Sequence, residues 1–457
     1  MRRMQKSSDQ NDLDVNEDKD RDTSSGDREG RAEEEALLQE NSGMGGEKDK
    51  ETVLKKCCES KMRTVMATHL NVALYATCFW IQIGVMPYLT KKLGVDPVVF
   101  GYLQTTFAVV QLCGGPFYGR FGDIFGGKAA LLLAFIASSM AYSLLAIANS
   151  IPLLFLSRIP SVGMHSMQGS QMVITDVSLH EERAAALGKL GISYGVGMII
   201  GPFLGGLITS AANEQTAAAT AAIGSLLSVF LVLALIPRNT KDIVKKPDEK
   251  KIKDDETKED SSIFNVKKIL RILSLPNVGY LLAIKCICGI PFGIFQSMFS
   301  IVAMEYFKLG PRENGFVLSY VGILGIVIQG IGVGLLTKRY KDTLLMNWSI
   351  FLVAFAYLML ILVNNIYTFC LALIPLVTGG SILQVIITSS ITKIVPGHDT
   401  GTAIGLSMAT HSLIRSISPT IGGYLFTYFG FIIFGITGVL INGPLALYLI
   451  FRGKKDL

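Results

Sequence analysis

No aspartate or glutamate falls inside any long apolar run of this chain. Charged residues of all kinds are only 17% of its 457 residues while half are apolar, so most of the length cannot coat a water-soluble domain. Cysteine numbers seven, mostly within apolar runs and without the spacing of a disulfide framework. Also missing are a phosphate-cradling Gly-Lys-Ser/Thr loop, Cys or His metal-ligand spacings and a nucleophile elbow. Enzyme chemistry, a metal and any other cofactor are therefore not expected. Strict apolar–polar alternation is absent, which excludes a β-barrel. The net charge of +6 arises near the ends of the apolar runs, which suits a membrane surface and not a nucleic acid. No secretory leader is expected, since the first apolar run begins only near Val65.

What the chain does have is apolar length. A helix needs about 20 mainly apolar residues to cross a bilayer, and twelve runs qualify. They are 65–89, 99–119, 128–148, 152–175, 187–210 and 215–236 in the first half, then 278–304, 314–337, 344–363, 367–392, 402–428 and 431–451. The expected fold class is all-α, with twelve transmembrane helices. Its parts would be a disordered tail (1–64), a first bundle (65–237), a charged linker (238–277), a second bundle (278–451) and a short tail (452–457). Lys and Arg are denser in the loops that share a side with the termini, among them Arg120, Lys128, Arg183, Lys338, Arg339, Lys341 and Lys393. The opposite loops hold Lys91, Lys92, Lys308 and Arg312, so both termini are predicted inside. Within the linker, IFNVKKILRILSL sets an apolar stripe against Lys267, Lys268 and Arg271, which suits a helix lying on anionic lipid. Membrane lipids are thus expected partners, and tail and linker are where cytoplasmic proteins would dock. Cys57-Cys58, just before the first run, suits palmitoylation or two structural thiols.

The run GKLGISYGVGMIIGPFLGG carries the strongest pattern: Gly188, Gly197, Gly201, Pro202, Gly205 and Gly206. Gly197, Gly201 and Gly205 recur every four residues and share one helix face, stripping it of side chains so that another helix can approach to backbone contact. Pro202 removes one internal hydrogen bond and bends the helix. The frame returns as Gly405, Ile414, Ser418, Pro419, Gly422 and Gly423, each 217 residues after its counterpart (405 after 188). A period near half the chain means duplication, each half one helical bundle.

Embedded polar groups are costly in lipid and therefore the first functional candidates. Arg158 and His165 lie in the fourth run, Lys285 in the seventh, His411 and Arg415 in the eleventh. Arg158 and Lys285 could also snorkel to the nearer interface, whereas Arg415 is too deep for that. Each His is either a hydrogen-bonded interior imidazole or a proton carrier. Tyr75, Gln82, Gln104, Gln111, Phe292, Gln296 and Gln384 recur on faces suited to a wet, amphipathic cavity between the halves. Any single Gln could instead be a helix–helix hydrogen bond.

The glycine-proline frame resembles the antiporter motif on the fifth helix of drug–proton antiporters in the major facilitator superfamily. GRFGDIFGGK resembles that superfamily's loop between helices two and three: Gly119, Asp123, Gly126 and Lys128 match, while Ile124 and Gly127 stand where the family has arginines. The resemblance implies a fold of two pseudo-symmetric six-helix bundles. It makes Asp123 a latch on one gating state, adds Asp176 to the same gating set, and gives Arg158 the position of a proton-relay arginine. QIGVMPYLTKKLG, FGYLQTTF and DTGTAIGL look like the organic cation transporter-like branch of the solute carriers. The function implied is proton-coupled antiport of amphiphilic organic cations or drugs, with a small organic solute and protons as partners. Two alternatives stay open: transport of an organic anion or lipid-like acid, favoured by the all-basic embedded charge, and a transporter fold kept as a membrane scaffold. The plasma membrane is the expected site, internal membranes the next.

Overall fold

Helix starts in this chain are written in its caps and turns. Asp96 accepts a hydrogen bond from the Val99 amide at 2.8 Å, with Pro97 in the first turn, and begins a helix over Pro97–Phe125. Asn213 does the same for the Thr216 amide at 2.7 Å, and Asn365 forms a reciprocal capping box with Thr368. Gly126, at φ +87°, makes the tight corner to the next helix that a residue with a Cβ would resist.

The computed structural model describes residues 47–178, 182–240, 266–275, 277–396 and 400–453. The chain divides into Met1–Arg63, described only as helix from residue 47, and Thr64–Leu457. The elements are α1 (Glu47–Lys92), α2 (Pro97–Phe125), α3 (Gly127–Ala146), α4 (Ile151–Leu156), a 3-10 segment (Ile159–Gly163), α5 (Ser166–Val177), α6 (Arg183–Ala211) and α7 (Glu214–Leu235). After the linker come α8 (Val266–Leu273), α9 (Val278–Glu305), α10 (Pro311–Val327), a π-helical turn (Ile328–Gly332), α11 (Val333–Arg339), α12 (Asp342–Ile361), α13 (Ile366–Ile394), α14 (Thr400–Phe429) and α15 (Ile432–Gly453).

Ten helices among the described residues are long and apolar enough to cross a membrane. Two further passages complete the expected twelve. One is α14, 30 residues long but diluted by His411, Ser412, Arg415, Ser416 and Ser418. The other is the fourth, where a single helix over 152–175 was predicted and the chain instead breaks into α4, the 3-10 segment and α5. Pro160 lacks an amide hydrogen, and at Met164 and His165 the backbone leaves helical angles. α1 also starts well before the first apolar run: Glu47 to Arg63 is rich in Lys and Glu at helix-supporting spacings such as Glu51 and Lys55. The predicted tail over 1–46 and most of the linker lie outside the described residues. Of the interfacial helix predicted in the linker, α8 covers 266–273, and its Ile272 is fully buried against the second bundle's core.

α3 packs on α7, and α12 packs on both α13 and α15. Two seams join the halves: α2 against α14, and α6 against α10. The five cysteines whose side chains are described, Cys78, Cys113, Cys286, Cys288 and Cys370, are free thiols.

Candidate functional site

The seams are pseudo-symmetric down to single residues. A Cβ placed on Gly206 would meet Pro311 O at 2.6 Å, and one on Gly423 would meet Pro97 O at the same 2.6 Å. Likewise Gly315 abuts the carbonyl of Pro202 and Gly101 the carbonyl of Pro419. The two prolines are 217 residues apart, so the repeated frame is the repeated contact. Hydrogen bonds add to this clasp: Tyr102 with Tyr424, Thr105 with Thr420 at 2.8 Å, Tyr88 Oη donating to Leu309 O at 2.9 Å, and Ser319 to Ile199 O at 2.7 Å. These contacts cluster at the end carrying the loops after α1 and α9, which the charge bias predicts to be outer.

At the opposite end the same helices face open space. A Cβ on Gly188 or Gly191 of α6, on Gly330 or Gly334 beyond α10, or on Gly405 of α14 would meet nothing within 4 Å. So Gly188, counted with the antiporter motif, takes no part in packing here, whereas Gly197, Gly201 and Gly205 lie against Ala73–Ile81 of α1 at 2.5–3.1 Å from a would-be Cβ. The second half moves its small residues across the contact: Ile414 and Ser418 meet Gly289 and Gly293 of α9.

Between clasp and open end lies a basic centre. Arg158 is 3% exposed at the break of the fourth passage, its Nε donating to Ser157 Oγ at 3.1 Å. Its guanidinium stands 5.9 Å from the Phe107 ring centroid, and Arg415, from the other half, stands 5.9 Å from the same ring. Arg415 Nη2 also donates to Gln111 Oε1. His165 lies against the Tyr118 ring at 5.2 Å, and its Nε2 is buried without a partner among the described residues. Lys285 donates to Ser407 Oγ at 2.5 Å, and His411 lies one turn before Arg415 on α14. The candidate centre thus brings together Arg158, His165, Arg415 and Gln111, with Lys285 and His411 beside it.

Other predicted positions fall elsewhere. Tyr75 and Gln82 are 6% and 2% exposed, so neither lines an open cavity in this conformation; Tyr75 stacks on Phe79 inside the first bundle. Gln104 is half-buried in α2 and Gln296 is exposed on α9. Phe292 lies over Gly380 of α13. Gln384 joins Gln329, Ser381, Val385, Thr388, Ser389 and Thr392 around a cleft of about 520 Å³, and the π-helical turn sets Gln329 there. Asp123, expected as a latch, is exposed and has no hydrogen-bond or ion-pair partner among the described residues, because its end of the molecule is the open one. Asp176 instead accepts from Thr240 at 2.5 Å, and Lys128 donates to the last carbonyls of α7, with Ile236 O at 2.6 Å. Gly119 admits Gln168 beside α2.

Sequence reasoning missed Phe107 and Gly114. A Cβ on Gly114 would collide with the Val162 carbonyl, so α2 can lie on the broken passage only as glycine there. Gly114-Gly115 in mid-span was the available signal.

A family model described as Major Facilitator Superfamily matches residues 68–376 and 281–456. Mouse solute carrier family 22 member 18 is 40% identical over 400 residues, covering 86% of this chain and 96% of its own length. Multidrug resistance protein 1 of Bacillus subtilis (strain 168) is 24% identical over 368 residues, covering 79% and 89%. The crystal structure of the human organic anion transporter MFSD10 (TETRAN) shares the fold, with a TM-score of 0.58 at 16% identity over 85% of this chain and 99% of that one. Two repeated bundles, seams of paired glycine and proline, and these relatives lead to one conclusion: the chain is a multi-pass membrane protein of the Major Facilitator Superfamily of transporters.

Proposed function

We propose that this protein moves an amphiphilic organic ion by alternating access, exchanging protons through His165 and His411, and that the cargo's polar end is anionic. The carrying observation is the sign of the centre. Arg158 and Arg415 converge on Phe107 from the two halves, Lys285 is held to Ser407 of α14, and no acidic residue lies in the middle of a span. In a low-dielectric path such a field favours a carboxylate, sulfonate or phosphate and disfavours a second cation. Phe292, half-buried on α9, offers apolar surface for the rest of the molecule. A clasp at one end and open space at the other correspond to one state of a rocking cycle. His165 and His411 are the protonatable groups suited to coupling, since a free imidazole titrates near pH 6.5.

Antiport of organic cations is the second reading. It is supported by the antiporter-like frame and by a relative named for multidrug resistance.

The test is full-length protein in sealed liposomes with an imposed pH gradient, given a radiolabelled alkyl sulfonate or an alkyl quaternary ammonium. Sulfonate flux accompanied by proton movement is the expected result. Ammonium flux alone would overturn the anionic reading, and silence to a broad panel would return the scaffold alternative.

A further inference from the structure

One charged side chain joins the halves at mid-height. Arg415 lies 15 residues into α14 and Gln111 lies 14 into α2, and the guanidinium of the first donates to the amide oxygen of the second. The other end of that amide is also committed. Gln111 Nε2 donates to Met164 O at 3.0 Å, the carbonyl just before His165 where the fourth passage breaks. The two bonds fix which way the amide points, since a flip would set its NH2 against the guanidinium. Gln111 can reach the break because Gly114, one helical turn on, lets α2 touch the Val162 backbone.

This is a weak arrangement for a guanidinium. A neutral amide oxygen supplies one acceptor, and the Phe107 ring supplies a face at 5.9 Å. Neither neutralises the charge, and Arg415 remains exposed. A carboxylate or sulfonate could take the same donors with two bonds to an anionic acceptor in place of one to a neutral amide. Such a group would outcompete the amide.

Resting on the anionic reading above, we propose that Gln111 is a specificity-determining stand-in for cargo. It occupies Arg415 while the path is empty, and the anionic group of the cargo displaces it. Displacement breaks the mid-height bond between α2 and α14, just beneath the Thr105–Thr420 and Tyr102–Tyr424 contacts of the clasp. It also frees the amide that holds the broken passage at Met164. Cargo binding thereby loosens the clasped end and the segment carrying His165 together, which is the coupling that exchange needs.

Two substitutions in the full chain separate this from a packing role. Gln111→Ala removes the resident competitor, so KM for the alkyl sulfonate should fall about three- to tenfold without a rise in maximal rate. Gln111→Glu supplies a permanent anion at high local concentration, so KM should rise at least about tenfold. A second readout needs no cargo: Thr105→Cys in each background, labelled with a membrane-impermeant maleimide. Labelling should speed up with Gln111→Ala and slow down with Gln111→Glu. Gln111→Asn, whose amide is one methylene short, should behave as Gln111→Ala and guards against a folding artefact. Equal KM changes in all variants with unchanged labelling would overturn the proposal. The contrasting labelling rates without any sulfonate transport would overturn displacement by an anionic cargo, and with it the cargo reading, while leaving the Gln111–Arg415 clasp as a measured contact.

Discussion

Two glycines of one motif have opposite surroundings, and that difference is testable. A Cβ at Gly201 would sit 2.6 Å from Thr77 O and 2.7 Å from Trp80 Cβ, against α1 backbone and a side-chain root that cannot yield. Gly201→Ala should cost about 1–3 kcal/mol, read as a lower thermal unfolding temperature in detergent. Gly188→Ala should stay within about 0.5 kcal/mol, because nothing is near. Bulk at the open end carries a different cost. Gly191→Leu should leave unfolding of the clasped state unchanged yet reduce exchange severalfold, if α6 must close on α11 in the opposite state. Unaltered exchange would show that these glycines never become contacts. From the sequence, spacing made Gly197, Gly201 and Gly205 legible as one face, since period four on a helix is geometry. It could not tell that Gly188 and Gly405 face open space, which depends on the tilt of one bundle against the other.

The element that departs most from expectation is the fourth passage. Its composition reads as one apolar helix, and Arg158 reads as a side chain buried along it or reaching for the interface. The break at Pro160 and His165 instead turns Arg158 inward, among Ser157, Met86 and Phe107. Unwound backbone at membrane depth is tolerated where it is buried in protein, and here α2 covers it through Gly114, Gly115, Gly119 and Gly122. Gly114→Ala should therefore shift the broken segment and lose more transport than stability. The expected pattern is a stability loss of about 1–3 kcal/mol together with loss of the sulfonate KM contrast between Gln111 and Gln111→Ala backgrounds. An effect on unfolding temperature alone would make Gly114 a packing residue and nothing more. Helix existence was legible here and helix continuity was not, because a proline in a span can kink it or end it, and the neighbours decide.

At the scale of the molecule, the clasp at one end and the open glycines at the other define a state. The Thr105 and Thr420 hydroxyls are 2.8 Å apart across the α2–α14 seam, close enough that a Thr105→Cys, Thr420→Cys pair should oxidise to a disulfide. The cross-link should abolish exchange and a thiol reductant should restore it. Undiminished transport by the cross-linked protein would mean the seam does not part during the cycle. Exposed Lys91 and half-buried Glu305, 3.8 Å apart, add only a screened contact to the same end.

Twelve crossings, the duplication and the excess of embedded basic charge were determined by the sequence alone, because lipid demands apolar length and penalises charge whatever the neighbours are. Which residues meet was decided only by the tertiary structure. Phe107 beside two arginines, Gln111 shared by both halves, and the burial of Tyr75 and Gln82 depend on how two bundles lean together. No local pattern encodes that lean, since it is the sum of many close backbone contacts along two seams.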